Sequence, residues 1–338
     1  MSKNFCAINA KIKTIYSKLL HDEDFTKLTL METSQDVLRY LHEKKFAGVE
    51  PYDSVYEAEL KMQKYRLEVI QNLSHYLSDA HKEFASALKL EFENGDIKRI
   101  LRVLQRKESI ESLKYKMRVL DPRDFNLSED LTIADFIEQL RDTKYYKILQ
   151  AYQHELSDVI LFYMEMNLDK FYYQSLVHAS KNLSREGKRI FDELYGRKID
   201  MLNIIWIYRG LKFYNLIPEE LINFTILGGD AINFETLKHL CYTDTEEEFI
   251  EEVKKTPYAF LVEGEKIDIY MNRRSNRYIY YKAKKIFSEN NHFGKFLAFN
   301  KLLDFMVDDV IIVIEGLRFK LGPAETKKFL VRSYKEVI

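Results

Sequence analysis

Residues 135–145 read DFIEQLRDTKY, residues 248–258 read EFIEEVKKTPY, and residues 36–46 read the fainter DVLRYLHEKKF. An acid opens each segment (Asp36, Asp135, Glu248) and an aromatic closes it (Phe46, Tyr145, Tyr258). Between them, apolar residues fall at the two positions after the acid and again three further on: Val37, Leu38, Leu41; Phe136, Ile137, Leu140; Phe249, Ile250, Val253. That spacing puts the apolar groups on one face of a helix, and the acid complements the positive end of the helix dipole. One helical module written repeatedly points to a scaffold before it points to an enzyme.

A second repeated helix recurs with a period of about 107 residues: Ile97, Ile100 and Leu104 return as Ile204, Ile207 and Leu211, then as Val310, Val313 and Leu317. The i, i+3, i+7 stripe keeps its register in all three copies. One position before each stripe stands a short polar residue, Asp96, Asn203 or Asp309, expected to hold neighbouring backbone or an arginine at helix contacts. Arg102 matches Arg209, while the third copy has Glu315 there. The last two copies share GLKF at 210–213 and GLRF at 316–319, each followed by a proline and an acid, Pro218-Glu219 and Pro323 with Glu325. Proline suits the first turn of the next helix, where its missing N–H costs nothing. Upstream, Tyr65 aligns with Tyr172, and Gly187-Lys188 with Gly294-Lys295.

The third copy lacks the downstream acid-apolar-aromatic helix, and that helix is present at the N-terminus, at 36–46. The economical arrangement is a ring of three lobes around a pseudo-threefold axis. Residues 1–50 and 266–338 together make one module, 51–150 the second and 151–265 the third. An open superhelix is the competing arrangement.

Composition agrees with an all-α fold. Only 11 Gly and 5 Pro in 338 residues leave little material for the turns of a β fold. The stretches 52–94 and 123–186 read as charged helices joined by short polar loops. Tyr and Phe number 23 and 22, so much of the burial is aromatic. The formal net charge of −1 supplies no global field to recruit nucleic acid or an anionic membrane. The basic run Lys98, Arg99, Arg102, Arg106, Lys107 reads as a solvated helix face. Two cysteines, Cys6 and Cys241, make no disulfide framework and fit a reducing compartment. Lys3, Lys11 and Lys13 interrupt any signal-peptide core, and the strongest apolar runs fall far short of the roughly 20 residues that span a bilayer.

Catalytic chemistry finds no foothold. The eight histidines show no H-E-x-x-H spacing. Gly228-Gly229-Asp230 has no following Lys-Ser and reads as a helix stop with an Asp N-cap after it. Trp206 lies among expected core positions, and RYIYY at 277–281 aligns with KFYY at 170–173 as repeat architecture. Asp96, Arg102, Asn203, Arg209 and Asp309 therefore read as structural signature positions. No cofactor or metal site is expected.

On these residues the chain resembles a known family. NAKIKTIYSKLL at 9–20 with Phe25 and Leu28, DMLNIIWIYRGLKFYNLIPEEL at 200–221, Gly228-Gly229, and DVIIVIEGLRFKLGPAE at 309–325 are similar to the C subunit of archaeal and bacterial V/A-type ATPases, designated d in the eukaryotic enzyme. Asp309-Val310-Ile311 stands where that family often shows Asn-Ile-Arg. The resemblance implies an all-helical, three-lobed funnel without catalytic residues, a monomer within a hetero-oligomeric complex. It implies a place at the cytoplasmic face of the cell membrane, held there by the complex with no membrane insertion of its own. Its implied partners are the central-shaft subunits of the ATPase head and the membrane proteolipid ring. It also implies a cavity wide enough for a coiled-coil tip. A helical-repeat adaptor unrelated to ATPases, and a helical enzyme with a site between lobes, are the readings from other classes.

Overall fold

The computed structural model describes residues 4–153, 158–289 and 292–332; Lys3 and the outer ends of the terminal module lie outside them. Every regular element among the described residues is helical. The N-terminal stretch holds α1 (Asn4–Tyr16), α2 (Asp22–Leu28) and α3 (Ser34–Glu43). Then come α4 (Val55–Ser74), α5 (Asp79–Leu88), α6 (Leu90–Arg106), α7 (Ile133–Gln139) and α8 (Tyr146–Leu149). The middle of the chain carries α9 (Asp158–Ser180), α10 (Arg185–Phe191), α11 (Arg197–Arg209), α12 (Pro218–Phe224), α13 (Phe234–Cys241) and α14 (Glu246–Lys254). Last are α15 (Ile267–Glu289), α16 (Phe293–Arg318) and α17 (Pro323–Phe329). Residues 107–132 hold only the 3-10 turns Ile110–Tyr115 and Pro122–Asp124, so the charged helices expected over 123–186 begin only at Ile133.

The acid-apolar-aromatic segments become α3, α7 and α14. Each starts on a threonine three residues before its acid: the hydroxyls of Thr33, Thr132 and Thr245 accept the backbone N–H of Asp36, Asp135 and Glu248. Val37, Leu38, Leu41, Phe136, Ile137, Leu140, Phe249 and Val253 are all buried, as are the closing aromatics Phe46, Tyr145 and Tyr258. Ile250 is partly buried against the same core.

The stripe helices are α6, α11 and α16. Helix α16 packs against α1 to α4, α10, α15 and α17, and Phe293 to Val307 are buried without a break. A helix buried all round is a core element rather than an amphipathic surface helix. The π turn Asp192–Gly196 joins α10 and α11 into one continuous rod, and a second, Gly210–Tyr214, extends it. The shared G-L-K/R-F string has a packing cause. A Cβ on Gly210 would meet Leu221 Cδ2 at 2.3 Å, and one on Gly316 would meet Thr326 Oγ1 at 2.6 Å. These glycines let α12 and α17, each with proline in its first turn, fold back onto the rods.

The last described residues pack against α2 and α16. Arg332 contacts Asp309 at 2.7 Å and Asp22 at 3.2 Å, and its guanidinium lies 3.7 Å from the Phe25 ring centroid. Arg277 donates to the Leu330 carbonyl at 2.8 Å and Arg273 to that of Lys328, which suits the negative end of α17. The core forms one large cluster and a smaller one running from Ile97 to Leu168, built on α6 to α9.

Candidate functional site

The signature residues before the stripes each hold a strand of backbone about one loop downstream. Asp96 Oδ2 accepts the N–H groups of Arg118 (2.8 Å), Val119 (2.8 Å) and Leu120 (3.1 Å). Asn203 accepts the Ile226 N–H and donates to the Ile226 carbonyl, both at 2.8 Å. Asp309 accepts the Val331 N–H at 2.9 Å and pairs with Arg332. All three are buried. Burial raises the Asp309 carboxyl to about 6, against the pull of Arg332.

The two arginines part company. Arg102 forms a fork on Glu165 (2.5 and 2.7 Å), tying α6 to α9. Arg209 is half-buried and forms no ion pair among the described residues, while Glu315 pairs with Arg318 at 2.5 Å. The neighbouring basic run divides: Arg102, Arg106 and Lys107 are exposed, whereas Lys98 reaches Asp169 at 2.5 Å and Arg99 donates to the Lys116 carbonyl. The Gly228-Gly229-Asp230 reading also needs correction. Gly228 does have a positive φ of +102°, but α12 has already ended at Phe224. Asn233, not Asp230, caps α13. Glycine is required at 229 because a Cβ would lie 1.8 Å from Asp200 Oδ1. Asp230 instead donates its N–H to Asp200 and pairs with Arg197 at 2.9 Å. Trp206 is in the core.

A site that the motifs did not name lies where the three rods converge. Six positions before each stripe stand Glu91, Lys198 and Asp304, and all three line one cavity of about 290 Å³. Arg66, Tyr173 and Ile279, related by the same period, line it too. The remaining charged groups in its wall are Arg118, Lys301 and Asp308.

Arg66 is the anchor of the cavity. It is 3% exposed, donates to Gln63 Oε1 at 2.8 Å, pairs with Asp304, approaches Glu91 at 3.4 Å and lies over the Phe92 ring. Burial alone would raise the Glu91 carboxyl, but Arg66 and Lys301 hold it below its ordinary value. Lys301 approaches Asp304 at 3.5 Å and sits over the Tyr195 ring. Lys198 Nζ reaches the neutral Ser275 Oγ at 3.1 Å and Asn276 Oδ1 at 2.8 Å. Burial and then Lys301 push its ammonium down to about 8. Burial and the nearby Asp304 raise the half-buried Asp308 carboxyl.

The volume decides what can enter. The cavity has room for side chains, waters or a small ion. Mixed charge without a nucleophile–base pair gives it binding chemistry rather than bond-making chemistry. Among the described residues no group of three or more His, Cys, Asp or Glu could hold a metal ion, and no helix is long and apolar enough to cross a membrane.

The cavity was legible in principle: stepping six places back along each stripe gives an acid, a base and an acid. What hid it is that charge sign is not repeated, so the triplet does not read as a motif.

The family model described as ATP synthase (C/AC39) subunit matches residues 8–329. The A-type ATP synthase C subunit of Methanosarcina mazei is 24% identical over 272 residues, covering 78% of this chain and 73% of that protein. The corresponding C subunit of Methanosarcina acetivorans is 24% identical over 76% of this chain and 71% of its own length, and that of Thermococcus kodakarensis 24% over 74% and 68%. A match across nearly the whole length, with the repeated rods inside it, means that the chain belongs to the ATP synthase (C/AC39) subunit family.

Proposed function

We propose that the chain is a central-stalk subunit of a V/A-type ATPase, joining the central shaft of the ATPase head to the membrane proteolipid ring for proton or sodium transport. The chain itself is not catalytic. The observation that carries the reading is the convergence of Glu91, Lys198 and Asp304 on one cavity. Equivalent positions of three repeated rods meeting at one place are what a pseudo-threefold, three-lobed body requires, and a translational superhelix would keep them apart. In this reading residues 1–50 with 266–338, 51–150 and 151–265 are the three lobes. Asp96, Asn203 and Asp309 pin each rod to its following loop.

A rotor coupler must resist twisting. Rods buried in aromatic packing, few glycines, and α2 tied to α16 through Arg332 supply that stiffness. The shaft tip seats over the mouth of the axial cavity. A broad separate face meets the proteolipid ring at the cytoplasmic side, and the complex, not a membrane span of this chain, keeps it there. Near-zero net charge leaves the affinity to shape and local complementarity, with charges fixing register. The purified chain is expected to bind its own shaft subunits at moderate salt and to hydrolyse no nucleotide. Robust hydrolysis, or failure to bind the shaft, overturns the reading.

A further inference from the structure

The charge inventory of the axial cavity does not close. Arg66 and Lys301 are satisfied by Asp304 and Glu91. Arg118 and Lys198 are not: among the described residues neither forms an ion pair, and Lys198 reaches only neutral oxygens. The Arg118 Nε–H is buried with no hydrogen-bond partner. Room for this guanidinium is made by Gly95 on α6, where a Cβ would lie 2.9 Å from Arg118 Nη1. An arginine laid in a glycine-made slot beside a polar cavity, with a donor unspent, lacks an acceptor.

We propose that the axial cavity is a receptor for one small oxyanion of the carboxylate or phosphate class, held between Arg118 and Lys198. Its volume of about 290 Å³ corresponds to about ten waters, which admits such an anion with part of its hydration. Guanidinium and ammonium donors form charge-assisted hydrogen bonds with oxyanions, roughly twice as strong as neutral ones. Asp308 shares the wall. Burial and Asp304 favour its protonated form, which donates to an anion instead of repelling it. The same chemistry has two sources: free inorganic phosphate, or the carboxylate of a side chain that a partner seated on the mouth inserts. The inference goes beyond the stalk assignment and stands on the cavity alone. A chain that binds anion but no shaft would keep it and sink that assignment, and the converse result would do the opposite.

The test is thermal unfolding of the full chain at constant ionic strength, with inorganic phosphate or acetate replacing chloride. Wild type is expected to show a saturable rise in Tm. In Arg118→Gln and Lys198→Gln the half-saturating concentration should rise about tenfold or more, the loss of one charge-assisted contact. Arg118→Lys, which keeps the charge but not the fork, should fall between, and remains informative if Arg118→Gln does not fold. Lys181→Gln, at an exposed turn, should match wild type. Saturation with phosphate assigns the free ion; saturation with acetate alone assigns a partner's carboxylate. A rise linear in concentration and equal in all variants is the general stabilisation by excluded salts. That result, or no rise with either anion, overturns the proposal.

Discussion

Tyr258 donates its hydroxyl to Asp200 at 2.7 Å, and Tyr145 does the same to Glu93 at 2.5 Å. These are the same pair in two copies: the tyrosine closes an acid-apolar-aromatic segment, and the carboxylate lies four positions before the stripe of a rod. The third copy has Phe46 and Met306 at the matching positions, so hydroxyl and carboxylate have been lost together. A buried hydrogen bond kept or dropped as a unit leaves neither partner unsatisfied.

Tyr258→Phe is expected to cost about 1–2 kcal/mol, because Asp200 then keeps only backbone donors such as Asp230 and Ala231. Phe46→Tyr should also destabilise, by about 1–3 kcal/mol, since it buries a hydroxyl opposite an apolar position. Urea unfolding measures both. A stabilising Phe46→Tyr would show that the third copy does not match the other two.

Asn203→Ala removes an acceptor and a donor at once and strands the Ile226 N–H and carbonyl in the core. The expected loss is about 2–4 kcal/mol, read as a lower urea midpoint at unchanged slope. An unchanged midpoint would show that the residue is not a structural pin.

Gly229→Ala places a methyl group 1.8 Å from Asp200 Oδ1 and 2.7 Å from its Cγ. Asp200 is fixed by backbone and Tyr258 and cannot swing aside cheaply. A loss of about 3 kcal/mol or more is expected from overpacking. Gly48→Ala, with nothing within 4 Å of the added group, faces only its positive φ of 64° and should cost about 1 kcal/mol.

Asp309 gives the pH dependence a sign. Its folded value of about 6 lies above the unfolded 3.8, mainly through burial, so the folded state binds the proton more tightly. Its contribution is therefore fully present below about pH 4 and lost as pH rises through about 6, a change on the order of 2–3 kcal/mol. Wild-type stability minus that of Asp309→Asn should fall across this window. A difference that is flat or rising with pH would contradict the assignment.

Sequence periodicity makes the rods and the capped helices legible because both repeat an apolar spacing, and apolar spacing is what packing demands. The Thr-x-x-Asp/Glu boxes at Thr33, Thr132 and Thr245 are equally readable, although the acid alone is enough to mark each repeat and draws attention away from the threonine before it. Two things lie beyond periodicity. Residues 107–132 contain no glycine and one proline, but Asp96 recruits three backbone N–H groups there, which breaks helical pairing in favour of a held loop. Arg102 and Arg209 match in sequence but differ in partner, because Glu165 faces the first and, among the described residues, no acid pairs with the second. Long-range partners of this kind are set by which helices pack together.

The most direct measurement of the central claim is native purification of the tagged chain from detergent-solubilised membranes of its source, with the bound proteins identified and quantified. The account predicts recovery with the ATPase head, the central-shaft subunits and the proteolipid ring, at one copy of this chain per complex. Recovery of the chain alone, or with partners that include no ATPase component, would contradict it.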